Sequence, residues 1–119
     1  MHKLLLFLAL LLPINLEAIT LRQSVVEAKA GDQVTITWEL EEGDEVDLLY
    51  FTIRRSELIS GKFDVWKKVA FNQRGFTWVW ISSPSRHYFI TAWYAVVQPD
   101  GTTKAMESVG SNQVKVSWK

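Results

Sequence analysis

The chain has 119 residues, which is enough for one domain and too few for two. Its 13 basic and 13 acidic side chains cancel, so it lacks the basic excess with which proteins bind nucleic acid. It contains no cysteine, which excludes both a disulfide framework and the usual cysteine-containing zinc sites.

The first eighteen residues are typical of a secretory signal peptide. Lys3 gives a basic start, the run from Leu4 to Leu12 is wholly apolar, and Ala18 offers a small residue for cleavage. The apolar run has about nine residues, far short of the roughly 20 that cross a bilayer, so we expect no transmembrane segment in the mature chain. We therefore predict a signal peptide at 1–18 and one immunoglobulin-like β-sandwich domain at 19–119, in a secreted protein.

The mature chain is a series of short apolar or alternating runs, separated by turn residues such as Pro99-Asp100-Gly101. Strands are predicted at 33–38, 46–54, 63–71, 76–80, 86–97 and 114–118, with one or two edge segments in 19–28. No stretch keeps helical spacing over three turns. This pattern predicts an all-β protein, an immunoglobulin- or fibronectin-like β-sandwich of about seven strands.

Alternation along these strands divides the aromatic side chains between two faces. Trp38, Trp78, Trp80 and Tyr88 fall on the sides that two stacked sheets turn toward each other, so we predict them as core. Burying one large side chain is worth roughly 1.5–3 kcal/mol. Since no disulfide can hold the sheets together, this burial must stabilise the fold.

Phe89 and Trp93 must then point away from the core, because successive side chains of a strand alternate. Exposed rings on a sheet often mark a contact surface. One interpretation is a platform that stacks on sugar rings, formed by Trp93, Phe89 and Trp66. A second is a surface for another protein. The third is that a neighbouring segment, such as the one that holds Trp66, simply covers the two rings.

Two segments, AGDQVTITWEL at 30–40 and GFTWVWISSPSRHYFITA at 75–92, carry a recognisable pattern of residues. The positions that match are Ala30, Gly31, Val34, Ile36, Trp38, Gly75, Phe76, Trp78, Trp80, Tyr88, Phe89 and Ile90. In these residues the chain resembles the fungal Ser/Thr-rich GPI-anchored membrane family. That family is also called the N-terminal domain of yeast cell-wall synthesis proteins of the killer-toxin-resistance type.

This resemblance implies an extracellular or cell-wall location and, for some members, a part in β-1,6-glucan assembly. It implies no catalytic residues. The chain departs from the family pattern in two ways: Ile81 stands where a proline is usual, and no Ser/Thr-rich tail or apolar anchor signal follows Lys119. We therefore expect a protein that is freely secreted or held to the wall non-covalently.

The sequence offers few residues for catalysis or metal binding. His87 is the one histidine left after signal removal, and it stands at the start of a strand with no nucleophile motif nearby. The acidic run WELEEGDEVD at 38–47 is interpreted as a solvated loop, as calcium ligands or as paired carboxylates for glycoside hydrolysis. We predict no enzyme, no cofactor and no metal site.

Basic side chains gather in the middle of the chain, at Arg54, Arg55, Lys62, Lys67, Lys68, Arg74 and Arg86. They either attract a polyanion or an acidic partner, or simply cover exposed strands. The predicted function is a secreted, non-catalytic module that binds wall polysaccharide such as β-glucan or supports wall assembly. The alternative is a small secreted protein-interaction module, an effector or adhesion domain. The predicted partner is therefore cell-wall polysaccharide or an extracellular protein, and not nucleic acid.

Overall fold

A computed structural model describes residues 19–41, 43–81 and 85–118, so the predicted signal peptide at 1–18 lies outside the described residues. The described residues form nine strands and no helix: β1 (Ile19–Leu21), β2 (Val25–Ala28), β3 (Gln33–Leu40), β4 (Leu48–Ser56), β5 (Asp64–Ala70), β6 (Gly75–Val79), β7 (Arg86–Val97), β8 (Thr103–Glu107) and β9 (Val114–Trp118). Within these ranges nothing forms a helix long and apolar enough to cross a membrane.

The strands form two sheets with the core between them. The small sheet has the order β1-β3-β6, and the large sheet has the order β2-β9-β7-β4-β5, with β8 paired to β7. Neighbouring strands are antiparallel, except that β2 runs parallel to β9. The prediction of an all-β sandwich is therefore confirmed.

Two details of the strand prediction were wrong. Residues 43–47 form turns rather than the start of β4, with Gly43 and Asp47 at positive φ angles of 91° and 62°. The second detail is β8, which no pattern predicted. It carries little apolar surface and is held by its backbone pairing with the last third of β7, from Trp93 to Val97.

The predicted inner face is confirmed for all four aromatic residues, of which three are fully buried and one is half-buried. Trp38, Trp80 and Tyr88 are fully buried. Trp38 contacts Phe51 of the opposite sheet edge to face, with the ring centres 5.4 Å apart. Trp78 packs against Tyr88, with ring centres 5.2 Å apart, and is half-buried because β6 is the last strand of the small sheet.

Tyr94 on β7 predicts an alkaline loss of stability. Its hydroxyl is buried and has no hydrogen-bond partner among the described residues. Burial, with a further contribution from the charge of Asp44, raises the pKa of Tyr94 to about 12. A raised pKa favours the protonated folded state, so this contribution is complete below pH 10, the ordinary tyrosine pKa, and is lost as the pH rises through about 12.

We expect Tyr94→Phe to be as stable as the wild type or more stable at pH 7, because it removes a buried polar group that lacks a partner. Between pH 10 and 12 the variant should lose roughly 2–3 kcal/mol less than the wild type. Burial also raises the pKa of Tyr88, so part of the alkaline loss remains in the variant. Urea unfolding across this pH range measures both effects. A variant that is more than about 1 kcal/mol weaker at pH 7 would show that the hydroxyl has a stabilising partner.

Candidate functional site

The outward side chains of β4 and β7 lie side by side on the outer face of the large sheet. The register sets three cross-strand pairs, which are Tyr50 with Trp93, Thr52 with Thr91, and Arg54 with Phe89. Directly opposite side chains of neighbouring strands come within contact distance of one another. The register thus places Phe89 and Trp93 on the outer face as the sequence predicted, and it adds polar residues between them.

An ion pair between Arg54 of β4 and Glu107 of β8 lies across this face. Nε and Nη2 of Arg54 donate to the two carboxylate oxygens of Glu107, each at 2.8 Å, so the pair is bidentate. Nη1 donates to the carbonyl of Phe63 at 3.1 Å, which fixes the plane of the guanidinium. The side chains are 24% and 23% exposed, so the pair is largely shielded from water and still reachable from outside.

The carboxylate of Glu107 is also joined to the threonine pair in the middle of the face. Thr91 donates to it at 2.6 Å, and the hydroxyls of Thr52 and Thr91 contact each other. Burial alone would raise the pKa of Glu107, but the hydrogen bonds from Arg54 and Thr91 outweigh burial and lower it. Glu107 is therefore a charged acceptor at neutral pH. Arg54 of β4 and Thr91 of β7 hold its carboxylate in place.

Trp93 forms the aromatic part of the face together with Tyr50. Their rings are stacked, with centres 5.8 Å apart and planes at 21°. The indole N–H of Trp93 donates to the hydroxyl of Thr52 at 3.3 Å, and the ammonium of Lys68 lies 4.0 Å from the centre of the Tyr50 ring. Both rings are half-buried, so Trp93 presents a fixed edge and part of its surface to the outside.

Phe89 is half-buried, like Trp93. Its ring lies 4.8 Å from that of Phe63, measured between centres, and the backbone of Gly110 lies directly against it. A Cβ at position 110 would come within 2.5 Å of Cδ1 of Phe89, so only glycine allows this close approach. The ring therefore forms one wall of the site and keeps part of its surface exposed.

The segment that carries Gly110 is attached to β7 through two serines. Ser108 and Ser111 donate their backbone N–H groups to the carbonyls of Ala92 and Ile90, at 2.8 and 2.9 Å. Their hydroxyls accept the N–H groups of the same two β7 residues, at 3.0 and 2.9 Å. These bonds replace strand pairing over the part of β7 between β8 and β9, and they fix one wall of the site.

Together these side chains surround an open groove of about 410 Å3 on the outer face, which we call the outer groove. Its lining residues are Arg54, Phe63, Phe89, Thr91, Glu107, Ser108 and Gly110. Trp93 lies beside it, since Trp93 pairs with Glu107 across β7 and β8. The outer groove combines a bidentate ion pair, two hydroxyls and aromatic walls, which suits a ligand that both donates and accepts hydrogen bonds.

Trp66 does not join Phe89 and Trp93, so the predicted three-ring platform is wrong in this residue. A bulge in the pairing of β4 with β5 leaves Trp66 without a partner and turns it to the inner side. There it contacts Phe76, Trp78 and Tyr88, with ring centres 5.6, 5.0 and 5.3 Å away. The alternative that the segment holding Trp66 covers the outer rings is met for Phe89, because Phe63, three residues before Trp66, packs against it.

The acidic run begins in the last residues of β3, and its described part continues through the turns at 43–47. Burial and then the charges of Glu41 and Glu45 raise the pKa of Asp44, so these carboxylates repel one another. No group of three or more histidine, aspartate or glutamate side chains converges as a metal site within 19–41, 43–81 and 85–118, and Glu42 lies outside these ranges.

Burial, followed by the charge of Lys115, lowers the pKa of His87, which favours its neutral form.

Sequence reasoning missed Arg54, Glu107 and Gly110 as parts of the site. Arg54 was noticed only as one of many basic residues. Glu107 lies on β8, which had no predictive pattern, and Gly110 belongs to a loop whose position depends on the two serines. The one available signal was the outward position of Phe89 and Trp93.

No protein-family model matches the chain, and no curated protein matches it. Solved structures do. An Fn3-like protein from Clostridium thermocellum superposes with a TM-score of 0.54 at 13% identity, over 82% of this chain and 86% of that one. A myokine structure gives 0.51 at 16% identity, over 90% of this chain and 99% of that one. At these identities the likeness shows the fold alone, which is a fibronectin type III-like β-sandwich.

Proposed function

We propose that this protein is a secreted, non-catalytic binding module whose outer groove holds a neutral polysaccharide, with β-glucan as the first candidate. The observation that carries the proposal is the position of the half-buried Trp93 beside the Arg54–Glu107 pair. Trp93 gives an aromatic surface for the C–H face of a sugar ring. The Arg54–Glu107 pair gives hydrogen-bond donors and acceptors for the sugar hydroxyls.

The charges of the groove favour a neutral ligand. Glu107 neutralises Arg54 through both of its oxygens, so neither charge is available to a charged ligand without breaking the pair. Arg54 uses three N–H groups within the protein and a guanidinium has five, which leaves two for a ligand. Glu107 has lone pairs that still accept, and a sugar hydroxyl both donates and accepts.

Secretion and a place at the fungal cell wall are parts of the same proposal. They rest on the signal-like pattern of residues 1–18 and on the family resemblance at 30–40 and 75–92. That the module has no catalytic activity rests on the family resemblance and on His87, which lies half-exposed beside Lys115.

A sedimentation assay with insoluble β-glucan tests the proposal. We expect the purified protein to sediment with the polysaccharide, and Trp93→Ala to weaken retention about tenfold or more, which is about 1.4 kcal/mol or more. Phe71→Ala is the matched control, because it removes an exposed aromatic side chain from a turn outside the groove. Near-ultraviolet circular dichroism establishes that each variant is folded. Wild type that stays in the supernatant with every glucan, or Trp93→Ala that binds fully, would refute the proposal.

One observation favours the alternative of a protein-interaction module. Strand β5 ends the order of the large sheet, and it carries the exposed Val65 and the exposed basic residues Lys67 and Lys68. An unpaired strand edge is a template for a strand of another protein. Capture of one protein that weakens with salt, and that soluble glucan does not reduce, would support this function in place of glucan binding.

A further inference from the structure

A second cleft, smaller than the outer groove, lies where β4 ends and where β5 and β7 begin. Its volume is about 210 Å3, and its lining includes Arg55, Glu57, Lys62, Asp64, Trp66 and Arg86. Arg54 faces the outer groove and Arg55, the next residue, faces this cleft, because side chains of a strand alternate. We call it the basic cleft.

The positive charges of the basic cleft are poorly neutralised. Arg86 meets Glu57 at 3.5 Å, where Glu57 is 61% exposed and Arg86 only 23%. Lys62 and Asp64 are 3.9 Å apart and both largely exposed, and such surface pairs are weak. In the described part of the chain, no carboxylate lies within salt-bridge distance of Arg55.

Arg55 is nevertheless held in place and partly shielded from water. Its guanidinium carbon lies 5.0 Å from the centre of the Trp66 ring, and the side chain is half-buried. Arg55 lies opposite Tyr88 across β4 and β7, and Arg86 begins β7 two residues before Tyr88, so both arginines line the same cleft. Burial raises the pKa of Tyr88, and the positive charges of Arg55 and Arg86 oppose that rise. Two partly buried cations that line one cleft favour an anion that compensates both.

We propose that the basic cleft binds an oxyanion group, a phosphate, sulfate or carboxylate, between Arg55 and Arg86. A guanidinium presents its N–H groups in a rigid fork that matches two oxygens of such a group. Trp66, which was predicted as part of a sugar-binding platform, instead packs against the guanidinium of Arg55. This site faces away from the outer groove and does not depend on glucan binding there.

The test is a titration with inorganic phosphate at constant ionic strength, followed by the NMR signal of the Trp66 indole N–H. We expect a saturable shift that Arg55→Gln weakens about tenfold or more. Glu57→Gln should strengthen phosphate binding about threefold, because it frees Arg86 from a competing carboxylate and alters only an exposed side chain. Lys104→Gln, the same charge change on the exposed part of β8, should have no effect.

Sulfate and galacturonate titrated in the same way distinguish a tetrahedral anion from the carboxylate of an acidic sugar. If none of the three anions shifts the signal beyond the effect of chloride, the proposal is wrong. It is also wrong if Arg55→Gln and Lys104→Gln bind phosphate equally. Should Arg55→Gln fail to fold, the result with Glu57→Gln decides, and an unchanged affinity in that variant overturns the proposal.

Discussion

Trp38→Ala is expected to remove about 3–5 kcal/mol of folding free energy, the largest effect of any single substitution considered for this protein. Trp38 belongs to β3 of the small sheet and is 2% exposed. It contacts Phe51 of the large sheet, and the guanidinium of Arg74 lies 5.0 Å from the centre of the Phe51 ring. Loss of the indole therefore leaves a cavity at the contact between the sheets, and the chain has no disulfide to limit the damage.

A domain of this size has a total stability of about 5–15 kcal/mol, so this single substitution would remove a large share of it. Thermal unfolding followed by circular dichroism should show a melting temperature lower by on the order of 15 °C or more. Trp38→Phe separates ring packing from polar effects. The indole N–H has no hydrogen-bond partner among the described residues, so phenylalanine should cost much less than alanine.

Thr35→Ala provides a control on the same strand. Thr35 is exposed and bonds to the hydroxyl of Thr77 at 2.7 Å on the outer face of the small sheet. We expect that removing this surface contact costs no more than about 1 kcal/mol. If Trp38→Ala melted within a few degrees of Thr35→Ala, the tryptophan contact would not be what holds the two sheets together.

The inner face could be predicted because it depends on a local property. In a strand the side-chain direction alternates with period two, so Val34, Ile36 and Trp38 must share a face wherever the strand is placed. All three are buried, as are Tyr88 and Ile90 of β7. The face that carries the larger apolar side chains is then the buried one.

The strand faces of β4 and β5 could not be predicted, because a bulge changes the alternation. One irregularity lies between Leu48 and Tyr50 in the pairing of β4 with β7, and it leaves Leu49 exposed. Another, in the pairing of β4 with β5, turns Trp66 toward the core. Nothing in the local sequence marks either bulge, so the direction of Trp66 could not be predicted from its neighbours.

The outer groove required knowledge of the tertiary structure. Arg54 and Glu107 are far apart in sequence. They meet because β4 and β8 both pair with β7, so that the two side chains reach each other across that strand. The alternation identified Phe89 and Trp93 as outward, but whether a neighbour covers them depends on Phe63 and Gly110, which come from two different loops. The position of a ring could thus be predicted, and its accessibility could not.

Glu107→Gln is expected to cost about 1–3 kcal/mol at pH 7, because the charged hydrogen bonds with Arg54 become neutral and the guanidinium loses its counterion. Arg54→Met/Glu107→Leu should be less destabilising than the sum of its two single changes, because no charge is then left unpaired. Urea unfolding of the wild type, Arg54→Met, Glu107→Leu and the double variant measures this coupling as a double-mutant cycle. Additive effects would mean that the ion pair contributes nothing of its own.

Protein stability at acid pH gives a second measurement of the Arg54–Glu107 ion pair. Hydrogen bonds from Arg54 and Thr91 lower the pKa of Glu107 in the folded protein, against the opposing effect of burial. A lowered pKa favours the ionised folded state, so this contribution is present above about pH 4.3, the unfolded value, and is lost as the pH falls through the folded value. The stability difference between wild type and Glu107→Gln should therefore shrink below about pH 4.

Glu27→Gln removes an equal charge from an exposed position on β2, so its small effect should show no such decline. A difference for Glu107→Gln that stays constant down to pH 2 would mean that the loss comes from side-chain shape and not from charge. Glucan sedimentation at pH 7 then separates the two roles of the residue. Arg54→Met/Glu107→Leu keeps the fold but lacks the polar groups of the outer groove, so a loss of retention in a stable double variant would assign those groups to the ligand.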